Sequence, residues 1–113
     1  MAVSGVSYVE GLDSGEQDYT HVVATLTSAG STVIYTPQSG RSLQLRWIYA
    51  INDPASSTSP LIQVFLGAQE KYRVYAISKR QLITGPLNGA LSITLSGTGN
   101  VAVTVLLQEI VNV

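Results

Sequence analysis

Apolar residues recur at every second position along most of this chain and are seldom spaced for a helix. Residues 90–96 show it most cleanly: Leu91, Ile93 and Leu95 alternate with Ser92, Thr94 and Ser96. That is the pattern of a strand with one face in a core and the other in water. Residues 101–107 repeat it, with Val101, Val103, Val105 and Leu107 inward and Ala102 and Thr104 outward. Residues 61–66 put Ile62, Val64 and Leu66 inside and leave Gln63 and Phe65 outside. The longest alternating stretch, 42–52, predicts Leu43, Leu45, Trp47, Tyr49 and Ile51 on a buried face, with Gln44, Arg46 and Ala50 opposite. On that reading Trp47 and Tyr49 are core residues and this strand supplies the centre of the core.

Turn residues punctuate these runs at short intervals. Gly30, Pro37 with Gly40, Gly67, Gly85-Pro86, and Gly97 with Gly99 each close one apolar run before the next opens. Further strands are predicted over 21–27, 32–36 and 71–78, with 79–84 as an extension or a separate edge strand. Asn88-Gly89 is a favoured hairpin pair. Residues 52–60 hold two prolines and a Ser/Thr run, which makes them a loop. The sum is about eight strands in two facing sheets: an all-β, single antiparallel β-sandwich, jelly-roll-like, with negligible helix. No internal repeat or second domain is visible. Residues 1–20 read as an acidic, Gly-rich N-terminal arm and 21–113 as the sandwich.

Composition narrows the partners. Cysteine is absent, so disulfides, zinc thiolates and a thiol nucleophile are excluded. Hydrophobic residues make up 45% of the chain and charged residues only 12%, against about 25% charged in an average domain. No run reaches the roughly 18 apolar residues of a membrane helix, and the first ten residues lack the basic start and apolar stretch of a signal peptide. A chain this apolar and weakly charged is expected to cover part of its surface with a partner, as a homo-oligomer or in a larger assembly. The charge is also uneven. Residues 1–20 carry Glu10, Asp13, Glu16 and Asp18 with no Lys or Arg, while all six basic residues lie downstream with three acids. No basic stripe marks a nucleic-acid surface.

The inventory for catalysis is poor. His21 is the only histidine, and without cysteines or a second histidine it reads as a surface or interface residue. The four acids of the arm lie on a Gly-rich segment, whereas a catalytic carboxylate pair has to be held at a fixed separation. Asp13-Ser14-Gly15-Glu16 lacks the alternating ligands of a calcium loop. Gly97-Thr98-Gly99-Asn100 is a turn between strands, with no helix to receive a phosphate. No catalytic residue, cofactor or metal site is expected, and binding is the predicted business of the chain. The aromatics offer surfaces for it. Phe65 falls on an outer face, and Tyr72 and Tyr75, three apart, must point to opposite faces, near Lys71, Arg73 and Arg46. Aromatics with arginine suit a protein interface. They also suit a glycan, since sugar rings stack on aromatic planes, and a register shift that buries them is the third reading. In the arm, Val6, Tyr8, Val9 and Leu12 are spaced so that an extended segment could add a strand to a neighbour's sheet edge and order on binding. The predicted assembly interface is therefore Val6, Tyr8, Val9, Leu12, Phe65, Tyr72, Arg73 and Tyr75.

Residues 32–43 run strand, Thr36-Pro37, Ser39-Gly40-Arg41, long strand, and are followed by Gly67, a Gly85-Pro86 turn and a Val-rich final strand. Over about residues 20–110 this resembles small β-sandwich virion proteins of tailed bacteriophages, of the capsid decoration, cement or head-fibre type. The resemblance implies a non-enzymatic structural protein, often trimeric, on the capsid surface of the virion and made in the host cytoplasm. Its partners would be the major capsid protein or other virion proteins, with no nucleic acid and no membrane. A carbohydrate-binding module, such as a small lectin or a receptor-binding fibre component, is the alternative, with a glycan as its partner. The resemblance carries no functional residues with it.

Overall fold

The computed structural model describes residues 3–10, by backbone alone, and 19–111. Among them are ten strands and no helix: β1 (Val3–Glu10), β2 (Thr20–Leu26), β3 (Gly30–Tyr35), β4 (Arg41–Asn52), β5 (Ile62–Leu66), β6 (Gln69–Val74), β7 (Ala76–Lys79), β8 (Ile83–Thr84), β9 (Leu91–Leu95) and β10 (Val101–Val111). They form two antiparallel sheets. One runs β1-β2-β10-β4-β7, with β8 also on β4; the other runs β3-β9-β5-β6. Most connections after β2 carry the chain from one sheet to the other, the exceptions being β7–β8, both paired with β4, and the β5–β6 hairpin, where Gly67 at φ +61° opens the turn between Leu66 and Gln69.

The alternation explains why these segments are strands and which face they bury. Val22, Ala24 and Leu26 of β2 and Val101, Val103, Val105 and Leu107 of β10 face the second sheet, which answers with Ile34, Ile62, Val64, Leu66, Leu91, Ile93 and Leu95. Every inward position predicted on β5, β9 and β10 is buried. Removing these side chains from water, at roughly 25 cal/mol per Å² of apolar surface, is the main force holding the sheets face to face.

The long strand departs from its predicted pattern halfway along. Leu107 of β10 pairs with Leu45 and Leu106 with Trp47, so Arg46 is an extra residue with no partner. This β-bulge flips the register of everything after it. Leu43 and Leu45 are buried as expected, but Ile48 and Ala50 then take the inward positions. Trp47, Tyr49 and Ile51 move to the outer face, half-buried, and the reading of Trp47 and Tyr49 as core is corrected.

Three smaller expectations also change. Residues 71–78 are two strands: β6 ends in one sheet, the chain crosses at Tyr75, and β7 begins in the other. Asn88-Gly89 makes no hairpin, because β8 and β9 belong to different sheets. Its turn is a crossover, with Asn88 at φ +62°. Finally, Val3–Glu10, read as part of an arm apart from the sandwich, pairs with β2 as the edge strand of the chain's own sheet.

Candidate functional site

The outer faces of the two sheets differ in character. On the four-stranded sheet the cross-strand rows read Val33, Ser92, Phe65, Glu70 and Ser31, Thr94, Gln63, Arg73, a mostly polar surface. On the six-stranded sheet they read His21, Leu106, Trp47 and Val23, Thr104, Tyr49 and Thr25, Ala102, Ile51. The second surface is largely apolar and aromatic. Its position at the middle of the widest sheet follows from the bulge, which turns three large side chains of β4 outward side by side.

Trp47 and Tyr49 lie two residues apart on one strand, with ring centroids 6.3 Å apart and planes tilted by 40°. Arginines frame them. The Arg80 guanidinium, just past β7, sits 6.0 Å from the Trp47 ring centre. The Arg46 guanidinium, on the bulge itself, sits 5.4 Å from the Tyr19 ring centre, within the range where a cation is attracted to an aromatic face. Between them His21, Arg46, Trp47, Arg80 and Leu106 line a recess of ≈ 340 Å³. At the other end of the face Thr25, Tyr49, Ile51, Asn52, Asp53, Pro54, Asn100 and Ala102 line a groove of ≈ 390 Å³.

The polar groups of that groove are occupied in holding its own loops. Asn52 donates from Nδ2 to the Thr58 carbonyl at 2.7 Å and accepts from the Asn100 backbone N–H at 2.9 Å. Asp53 accepts from the Ala55 N–H at 2.9 Å, and its own N–H donates to the Asn100 carbonyl at 2.8 Å. These bonds tie residues 52–58 to the turn before β10.

The residues predicted from sequence as an interface do not come together. Phe65 is half-buried on the outer face of the four-stranded sheet, as expected, and Arg73 is exposed there. Tyr72 instead packs against the core opposite Val64, because the β5–β6 pairing shifts by one residue at Val64/Phe65. Its partial burial raises the pKa of its hydroxyl above the usual tyrosine value, and that hydroxyl bonds Gln81 Oε1 at 3.3 Å. Tyr75, at the sheet crossing, is 65% exposed. Val6, Tyr8 and Val9 fall in β1, at the edge of the six-stranded sheet, and Leu12 lies outside the described residues. Sequence reasoning missed the face around Trp47, since the alternation of 42–52 gives no sign of the bulge. Among the described residues no three His, Cys, Asp or Glu side chains are placed to hold a metal ion.

No protein-family model matches the chain, and no curated protein matches it. Solved structures with a similar course of chain include the Cnp3 cupin domain of Schizosaccharomyces pombe, at 11% identity and a TM-score of 0.49, covering 96% of this chain and 68% of that one. The polyketide cyclase RemF from Streptomyces resistomycificus matches at 11% identity and a TM-score of 0.45, covering 95% and 66%. A cupin 2 conserved barrel domain protein from Rhodopseudomonas palustris matches at 9% and 0.38, covering 92% and 71%. Likeness at this level concerns the fold and no more.

Proposed function

We propose that the chain is a non-catalytic structural protein that docks on other proteins through the outer face of its six-stranded sheet. The observation that carries this reading is the outward Trp47–Tyr49 pair with Arg46 and Arg80 beside it. Tryptophan, tyrosine and arginine are the residues in which binding energy concentrates at protein interfaces, and a contiguous apolar face marks an interaction surface. In its specific form the proposal is a decoration or cement protein of a tailed-phage capsid, following the resemblance of its turns and strand order to that group. The partner is then the major capsid protein in the assembled shell, and the chain acts as a homo-oligomer, a trimer by the same resemblance.

The test is co-sedimentation with shells that lack this protein. The native chain is expected to pellet with them, and a Trp47→Ala/Tyr49→Ala variant, shown by circular dichroism to remain folded, to bind at least tenfold more weakly. Unchanged binding by the variant rejects the face as the docking site.

A carbohydrate-binding module is the second reading, favoured by the groove that sets Tyr49 beside Asp53 and Asn100. A sugar needs hydrogen-bonding groups free to meet its hydroxyls, and Asn52 there is already committed on both its donor and its acceptor. That places the glycan reading second. Saturable binding of a glycan by the isolated chain, lost on Tyr49→Ala, reverses the order.

A further inference from the structure

The recess at one end of the docking face has a chemistry that apolar packing does not use. His21 of β2, Leu106 of β10 and Trp47 of β4 stand in one cross-strand row. Strands lie about 4.8 Å apart, so the imidazole and the indole flank Leu106 from backbones roughly 10 Å apart. Arg46 enters from the bulge and Arg80 from beyond β7. Two arginines thus line one recess together with Trp47 and Leu106.

Neither guanidinium is matched by a described carboxylate. Among the described residues Arg46 donates one hydrogen bond, from Nη2 to Gln108 Oε1 at 3.5 Å, lies over the Tyr19 ring, and has its Nε buried with no acceptor. An arginine carries five donors, and one long bond satisfies little of that capacity. Arg80 leans over Trp47 and makes no hydrogen bond or ion pair to any described residue. The acids with described side chains are engaged elsewhere. Glu70 pairs with Arg73, Asp53 holds its own loop, and Glu109 takes the Tyr35 hydroxyl and the Gln38 N–H. An anion bound beside both arginines gains charge-assisted hydrogen bonds from donors that no described acceptor takes up.

We infer that the recess formed by His21, Arg46, Trp47, Arg80 and Leu106 is a binding site for an organic oxyanion, a carboxylate or phosphate ester carried on an apolar body. The guanidinium forks take the charged end, and Trp47 with Leu106 takes the body. The site goes beyond the docking proposal, because a free small molecule can fill it whether or not the face meets a partner.

Trp47 is the only tryptophan in the chain, so its indole N–H gives a single cross-peak in a nitrogen–proton NMR spectrum, at the site itself. Benzoate and phenyl phosphate are titrated separately into the full chain, with benzyl alcohol and inorganic phosphate as controls. The inference expects a saturable shift of that peak with at least one of the two aryl anions, and whichever binds more tightly identifies the source of the oxyanion. It expects no saturation with benzyl alcohol and weaker binding of inorganic phosphate. Arg80→Gln, at an exposed position, is expected to weaken binding at least tenfold without changing stability, and Arg46→Gln to do the same if it folds. Failure of both aryl anions to saturate the shift overturns the inference, as does an equal response to benzyl alcohol or unchanged affinity in Arg80→Gln. Docking on shells is measured separately, so loss of one reading leaves the other standing.

Discussion

The Tyr35 hydroxyl donates a 2.7 Å hydrogen bond to Glu109 Oε2, joining the end of β3 in one sheet to β10 in the other. The second oxygen of the same carboxylate accepts the Gln38 N–H at 2.9 Å, so Glu109 fastens the β3–β4 turn to the far end of the longest strand pair. A hydrogen bond to a charged group is worth about 1.5–3 kcal/mol. Tyr35→Phe is expected to cost about 1–2 kcal/mol in urea unfolding, and Glu109→Ala more, since it strips the acceptor from both donors at once. Equal stability of native and Tyr35→Phe proteins contradicts the role of the bond.

The bulge at Arg46 makes opposite predictions for neighbours. Ile48 is 2% exposed, and Ile48→Ala should cost about 2–5 kcal/mol, the range for deleting a buried aliphatic side chain. Trp47→Ala removes a half-buried ring from the outer face and should cost well under the roughly 3–5 kcal/mol of a core aromatic. Unbroken alternation along residues 42–52 predicts the reverse order, so the two unfolding midpoints decide between the patterns.

Asn88 serves the β8–β9 crossover in two ways. Its backbone sits at φ +62°, a conformation that asparagine and glycine accept more readily than other residues. Its Oδ1 also accepts the Gly40 N–H at 2.7 Å, linking the β3–β4 turn to the β8–β9 crossover. Asn88→Ala loses both features and should destabilise by about 1–2 kcal/mol. Asn88→Gly keeps the backbone and loses only the bond, so thermal unfolding should place it between alanine and the native chain.

Acid should weaken one surface pair. Arg73 bonds both oxygens of Glu70, at 2.8 and 3.0 Å, and these bonds hold the Glu70 carboxyl below its ordinary value of 4.5. A depressed carboxylate contributes stability above its unfolded-state pKa and loses it as pH falls through the lower folded value. Both groups are exposed, so the effect is small. Its sign is still testable: between pH 7 and pH 3 the native chain should lose more stability than Glu70→Gln. An identical pH profile for the two means the pair contributes nothing.

The sequence by itself determined most of the strands and most of their faces. On β5, β9 and β10 as far as Leu107 the side chains obey strict alternation, because strand geometry sends successive residues to opposite sides whatever the partner strand is. Phe65 outward and Leu91, Ile93 and Leu95 inward needed nothing more. Tertiary pairing decided the rest. Whether Trp47 is core or surface depends on β10 offering one residue fewer than β4 between Leu106 and Leu107, a property of the pair that no periodicity within 42–52 contains. Tyr72 turned inward for the same reason, through the shift between β5 and β6. The recess needed more still, since His21, Arg46 and Arg80 are far apart in sequence and come to one recess only because β2, β10, β4 and β7 lie side by side. Local alternation fixes which side of its own strand a residue takes. Only the ladder that joins strands fixes where that side faces and what stands next to it.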